Sequence, residues 1–182
     1  MTAGIIDEII RFWFETLTPE DWYRKNPAID AEIAKRFGAT YEALKHSVPP
    51  AWIAEPKGMI AAIIVLDQFP RNMFRDDPHA FATDRAALAL AKRAIGEGSD
   101  MLLTPEQRAF IYMPFQHSEA AADQAQSIAL FTTLGNPLNL DFALKHEAII
   151  ARFGRFPHRN SVLGRASTAT ELAFLQEPGS SF

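Results

Sequence analysis

The 182-residue sequence contains no cysteine and only three valines. Without cysteine the chain has no disulfide framework, no cysteine nucleophile and no thiolate ligand for a metal ion. The scarcity of valine argues against a strand-rich fold, because β-branched residues are enriched in strands, whereas the 29 alanines favour helices. Together these features predict an all-α protein.

Long hydrophobic runs are also missing. The longest plainly apolar run, Met59–Leu66, is far shorter than the roughly 20 residues of a membrane helix. Near the N-terminus Asp7 and Glu8 interrupt the apolar residues, and no basic region precedes them, so we expect no signal peptide in these residues. We therefore expect no membrane partner and a cytoplasmic location. The length predicts a single helical domain over residues 1–177, followed by a frayed tail over residues 178–182.

The net charge of −4 disfavours general nucleic-acid binding, but the charge is unevenly distributed. Residues 1–151 carry a net charge of −6, and residues 152–182 carry +2. The basic residues of the C-terminal segment are all arginines, namely Arg152, Arg155, Arg159 and Arg165. Arginine is suited to bidentate recognition of carboxylate or phosphate. Ion pairing with the acidic remainder of the chain is an equally good interpretation.

Apolar residues recur at helical spacing through most of the chain. Residues 104–107 and 168–171 each form a capping box, and Asn26-Pro27 is typical of a helix start. The apolar run at residues 59–66 is interpreted as a buried helix, because no second strand is available to pair with it. The pattern predicts seven or eight helices, stacked as antiparallel pairs.

Two segments, Asp67–Arg75 and Arg155–Asn160, share a Phe-Pro pair followed by Arg-Asn. In both, the proline is expected to end the preceding helix and to leave the Arg-Asn pair in a loop. If the two loops meet on one concave surface, their arginines reach the same anion. The alternative is that both are ordinary helix ends with arginines near C-terminal carbonyls.

These segments resemble a bacterial family catalogued as domain of unknown function 924. The resemblance is carried, in order, by Asp67-Gln-Phe-Pro-Arg-Asn72, Pro114-Phe-Gln-His-Ser-Glu119 and Phe153-Gly-Arg-Phe-Pro-His-Arg-Asn160, with Leu163-Gly-Arg165 and Ser167-Thr168 behind them. It extends over nearly the whole chain and implies an all-helical, tetratricopeptide-repeat-like fold, although no strict 34-residue repeat is visible. Gln116 stands where the family pattern leads us to expect an acidic residue. The family implies no established activity.

Two functional hypotheses follow from the polar residues. The first is a binding module for a small anion or an acidic peptide, with a ligand site formed by Arg71, Asn72, Arg75, Arg155, His158, Arg159, Asn160 and Arg165. The second is an enzyme acting on an anionic metabolite, with His117 or His146 as general base and Asp67 or Glu119 as the orienting carboxylate.

The sequence favours the binding module. His146 lies on an apolar stripe and fits a core histidine better than a ligand. No metal-ligand spacing, glycine-rich phosphate loop or nucleophile elbow occurs, so we expect neither a metal ion nor a cofactor.

Overall fold

The computed structural model describes residues 2–181, and in this range it contains α-helices, π and 3-10 turns but no strand. The all-α class predicted from composition is confirmed. Eleven α-helices follow one another in the described range: α1 Thr2–Arg11, α2 Pro19–Tyr23, α3 Pro27–His46, α4 Pro50–Ile53, α5 Pro56–Ile63, α6 Phe69–Met73, α7 Asp84–Gly96, α8 Pro105–Gln116, α9 Ala121–Leu134, α10 Pro137–Phe153 and α11 Ala169–Phe174.

The prediction of seven or eight helices is too low because it did not count three short helices, α2, α4 and α6. Each of these helices has a proline in its first turn, at Pro19, Pro50 and Pro70. Proline is well suited to that position, since the first N–H groups of a helix have no intrahelical partner. Pro19 and Pro50 begin new helices, whereas Pro70 lies where α6 continues directly from the π turn after α5.

The start signals that the sequence predicted are confirmed. Asn26 Oδ1 accepts a hydrogen bond of 3.1 Å from the Ala28 N–H at the start of α3. Thr104 and Thr168 form reciprocal capping boxes with the residues three positions later, at the starts of α8 and α11. These side chains satisfy backbone N–H groups that would otherwise lack partners.

The core is built around α5, which continues directly into a π turn at Ile64–Gln68. Every side chain of the Met59–Leu66 run is buried, which confirms its interpretation as a buried helix. Helix α5 packs against α1, α4, α7 and α8, while α9 packs between α8 and α10. An aromatic cluster that includes Trp13, Phe69 and Phe110 fills the space beside α5.

Regular tetratricopeptide-like pairs describe this architecture only loosely. Helix α3 has 20 residues and α10 has 17, whereas α4 has four. Pairs of equal length cannot be formed from such helices.

The division into a domain of residues 1–177 and a frayed tail stays a prediction. In the described part of the chain, no helix combines the length and apolar character needed to cross a membrane.

The packing of α4 against α5 makes a prediction about Gly58. A Cβ atom added at Gly58 would lie 2.2 Å from the carbonyl oxygen of Trp52, which is backbone and cannot move aside. We expect Gly58→Ala to lower the free energy of unfolding by about 3 kcal/mol. The matched control is Gly38→Ala in α3, where an added Cβ meets no atom within 4 Å. This control should raise the same free energy by about 0.5–1 kcal/mol, because alanine favours a helix interior.

Urea denaturation of both variants measures these changes. Equal and small changes at the two glycines would contradict the described contact between α4 and α5.

Candidate functional site

The candidate site begins where the α5 helix widens into its π turn and continues into α6. We predicted that Pro70 would end the helix and leave Arg71 and Asn72 in a loop, and this prediction is wrong, since α6 continues to Met73. Pro70 has no N–H to donate to the carbonyl of Leu66. The Thr83 hydroxyl at the start of α7 donates to that carbonyl instead, over 2.5 Å. The helix therefore passes through Pro70 and places Asp67 and Arg71 one turn apart.

Asp67 is fully buried, with 0% of its surface exposed. Its Oδ1 lies 2.9 Å from Nδ1 of His117 and 3.3 Å from Nη1 of Arg71, and its Oδ2 accepts from Gln68. Burial opposes ionisation of Asp67, but the charges of His117 and Arg71 and the hydrogen bonds to the carboxylate outweigh it and lower its pKa to about 2. Asp67 is therefore a buried carboxylate at neutral pH.

Five residues form a closed ring of polar contacts, here called the charged ring: Asp67, Arg71, Asp84, Arg159 and His117. Arg71 donates to Asp84 through both terminal nitrogens, at 2.9 and 3.0 Å. Arg159 Nη1 lies 3.5 Å from Asp84 Oδ2 and donates to the His117 carbonyl oxygen at 3.0 Å. The two Phe-Pro segments thus meet at Asp84, which brings Arg71 and Arg159 together.

A second ion pair stands beside this ring. Arg75 donates to both oxygens of Asp30 at 2.6 and 2.8 Å, and Asn72 donates to the same carboxylate at 2.8 Å. Asp30 lies in the first turn of α3, so this contact joins α3 to the end of α6. The arrangement holds Arg75 in a fixed position near Arg71.

The remaining arginines of the predicted ligand site are engaged elsewhere. Arg155 forms a bidentate pair with Glu171 at 2.7 and 2.8 Å. Arg165 forms another with Glu119, which also accepts from the backbone N–H of Phe156. For these two arginines and for Glu119, the structure shows ion pairs that fasten the C-terminal segment to the helices.

Asn160 is a further residue of the predicted ligand site whose side chain makes contacts inside the C-terminal segment. It is buried, and its amide donates to Ser167 Oγ at 3.0 Å. His158, two residues before it, lines a cavity instead.

Two adjoining cavities open at the charged ring. The first, here called the aromatic cavity, has a volume of about 320 Å³ and is lined by Trp22, Tyr23, Arg24, Gln68, Asn72, Met113, Gln116, Asn139 and Phe142. The second, the arginine cavity, has about 410 Å³ and is lined by Lys25, Asp76, Ala80, Phe81, His158, Arg159 and Val162. Their common wall consists of Arg71, Arg75, His117, His146 and Ser181. The two cavities together are called the cleft.

Three histidines line the cleft, and burial lowers the pKa of each of them. It lowers the pKa of His146 to about 3 and that of His158 to about 4. The pKa of His117 is lowered by burial and by the charge of Arg71, against the opposing effect of Asp67. The Asp67 carboxylate can only accept a hydrogen bond, so Nδ1 of His117 carries the proton and Nε2 is left as the basic nitrogen. His146 Nδ1 lies 2.8 Å from the Phe142 carbonyl oxygen.

Sequence reasoning missed the acidic partners that hold the cleft arginines, Asp30 and Asp84. Both look like ordinary first-turn acids of a helix, and no local signal links them to Arg75 or Arg71. It also missed the aromatic wall of Trp22, Tyr23 and Phe142.

Within the described residues, no three histidine, aspartate or glutamate side chains are arranged to hold a metal ion.

Comparison with known proteins agrees with the sequence motifs. The model of a family described as bacterial protein of unknown function (DUF924) matches residues 9–179. The solved structure of ATU0120, a protein of unknown function from Agrobacterium tumefaciens, has a TM-score of 0.92 and 36% sequence identity, and the match covers 97% of this chain and 99% of that one. No curated protein matches the chain.

The depressed histidine pKa values predict an acid-sensitive fold. An unfolded histidine takes up a proton below about pH 6.5, while His146 and His158 stay neutral in the fold down to about pH 3 and pH 4. Stability is therefore lost as the pH falls below 6.5. Between pH 7 and pH 5 we expect a loss on the order of 2 kcal/mol for each of these histidines.

Urea unfolding at pH 7 and pH 5 measures this loss. His146→Gln should reduce the difference between the two pH values, whereas His46→Gln, at an exposed position of α3, should leave it unchanged. An equal pH dependence in the wild type and in His146→Gln would show that His146 is not held neutral.

Proposed function

We propose that this chain, which belongs to the bacterial DUF924 family of unknown function, binds a small anionic molecule in the cleft. The observation that carries the proposal is the sign of the charges on the cleft wall. Among the described lining residues, the cations are Arg24, Lys25, Arg71, Arg75 and Arg159, against the single carboxylate of Asp76. The surface that a ligand meets is therefore strongly cationic.

The cleft wall carries this excess of positive charge even though Arg71, Arg75 and Arg159 are paired with carboxylates. Asp30, Asp67 and Asp84 neutralise the arginines in the overall count of charge, but none of the three lines either cavity. These three carboxylates contact the guanidinium groups on the side away from the cavities and fix their positions. A ligand therefore meets arginines that are already oriented, which reduces the entropy lost on binding.

Arg159 is the most buried cation of this wall. Its residue is only 7% exposed, and its guanidinium lies 4.7 Å from the Phe81 ring centre and 4.5 Å from that of Phe156. Its Nε has no hydrogen-bond partner within residues 2–181. Burial and the charge of Arg71 lower its pKa to about 10, so that it is still a cation at neutral pH. An anion in the arginine cavity would stabilise this buried charge.

The shape of the cleft favours a small molecule over an acidic peptide. Its two cavities, of about 320 and 410 Å³, fall in the range of small-molecule sites. A peptide in extended conformation would need a longer open groove. Aromatic and amide side chains beside the arginines supply further contacts for a compact ligand.

Removal of Arg75 tests the proposal. We expect Arg75→Ala to weaken binding of inorganic phosphate about tenfold or more, since a hydrogen bond to a charged group contributes about 1.5–3 kcal/mol. The matched control is Arg36→Ala. Arg36 has 31% of its side chain exposed against 28% for Arg75, it is also paired with carboxylates, and it lies outside the cleft.

Isothermal titration calorimetry measures both affinities, and thermal denaturation verifies that each variant is folded. Equal affinity for phosphate in the two folded variants would place the anion elsewhere. Binding of acidic peptides but not of phosphate would contradict the choice of a small molecule.

A second candidate function is catalysis on an anionic metabolite, and one observation favours it. His117 lies 2.9 Å from the Asp67 carboxylate, in the wall that also contains Arg71 and Arg75. Asp67 orients the imidazole and leaves Nε2 to accept a proton, which is the arrangement of a general base. We assign this role to His117 in preference to His146, because burial lowers the pKa of His146 to about 3 and makes it a very weak base.

Turnover of a panel of phosphate and carboxylate monoesters tests this second candidate. His117→Gln should lower the rate about 10²- to 10⁴-fold, the usual contribution of a general base, and should leave phosphate affinity within about twofold. His46→Gln, which alters an exposed histidine of α3 outside the cleft, serves as the control and should retain turnover. No turnover of any ester by the wild type would leave only the binding function.

A further inference from the structure

We infer that the anion is a nucleoside monophosphate, with its base in the aromatic cavity and its phosphate in the arginine cavity. This inference rests on the proposed function and adds the chemical class of the ligand. It begins from the difference between the two cavities. The arginine cavity supplies positive charge, and the aromatic cavity supplies flat apolar surface and side-chain amides.

The aromatic surface is formed by three side chains. Tyr23 and Phe142 have nearly parallel rings, with an angle of 5° and a centre-to-centre distance of 6.4 Å. Trp22 stands beside Tyr23 and is held by a hydrogen bond of 2.9 Å from its Nε1 to the Trp13 carbonyl oxygen. Every nucleobase has a π face that can stack on such rings, whereas inorganic phosphate gains nothing from them.

Gln116 supplies the second observation. The residue is only 7% exposed, and it lines the aromatic cavity. A side-chain amide in a cavity wall can both donate and accept a hydrogen bond. The planar edge of a nucleobase presents a donor beside an acceptor, which matches a glutamine amide. The base edge would therefore pair with the Gln116 amide on binding.

The common wall connects the aromatic cavity and the arginine cavity. Arg71 and Arg75 border both cavities, so a ligand in one cavity reaches the cations of the other without leaving the cleft. The cavity volumes suit a single nucleotide rather than a strand. We therefore choose a mononucleotide and not an oligonucleotide.

The experiment compares inorganic phosphate, ribose 5-phosphate, the four nucleoside monophosphates and a short single-stranded oligonucleotide by titration calorimetry. At least one nucleotide should bind about tenfold or more tightly than both phosphate and ribose 5-phosphate, because base stacking contributes to its binding. Gln116→Leu should remove most of this gain and leave phosphate affinity within about twofold. Phe142→Leu should likewise weaken nucleotide binding. It provides a second variant if Gln116→Leu does not fold.

Phe153→Leu is the matched control for the aromatic wall. Phe153 is partly buried like Phe142 and belongs to the same helix, α10, but it lies outside the cleft. It should leave nucleotide affinity unchanged.

Three results would overturn the inference. Phosphate binding with no gain for any nucleotide would refute the nucleotide while the proposed anion site stands. Tighter binding of an oligonucleotide than of every mononucleotide would contradict the choice of a single nucleotide. Failure of phosphate and all nucleotides to bind would refute both the inference and the proposed function.

Discussion

The structure of the cleft depends on the burial of one carboxylate, that of Asp67. A charge removed from water is very costly unless opposite charges and hydrogen bonds surround it. Arg71 and His117 meet this requirement, and each brings further partners, because Arg71 also binds Asp84 and the His117 backbone accepts from Arg159. One buried charge thus fixes residues from α6, α7, the end of α8 and the C-terminal segment. The side of this cluster that faces away from Asp67 forms the wall of the cleft.

The arginines of this chain perform two different tasks that their sequence pattern does not distinguish. Arg155 and Arg165 hold the C-terminal segment through Glu171 and Glu119. The pairing with Arg155 contributes to a pKa of about 2 for Glu171, as expected for a carboxylate stabilised in its charged form. Arg71, Arg75 and Arg159 also have acidic neighbours, but they face cavities. The basic segment at residues 152–165 is therefore in part a structural clamp and in part a wall of the cleft.

Local signals accounted for much of the fold. The capping boxes and the Asn26 cap depend on neighbours within four residues, so the sequence alone was enough to predict them. The buried helix at residues 59–66 followed from its apolar run and from the lack of a second strand to pair with it. Pro70 was misjudged because the group that compensates for its missing N–H is the Thr83 hydroxyl, 13 residues away. The site was harder to predict for the same reason, since Asp30 reaches Arg75 across 45 residues. Gln116 was noticed as a departure from the family motif, but its place in the wall of the aromatic cavity is visible only in three dimensions.

The central claim is that the cleft wall presents cations to a small anion while their acidic partners remain behind it. A crystal structure of the protein at saturating inorganic phosphate tests this claim most directly. The account predicts phosphate in the arginine cavity, within hydrogen-bonding distance of Arg159 and of Arg71 or Arg75, with the contacts of Asp67 and Asp84 unchanged. An empty cleft with phosphate bound at Arg155 or Arg165 instead would contradict it.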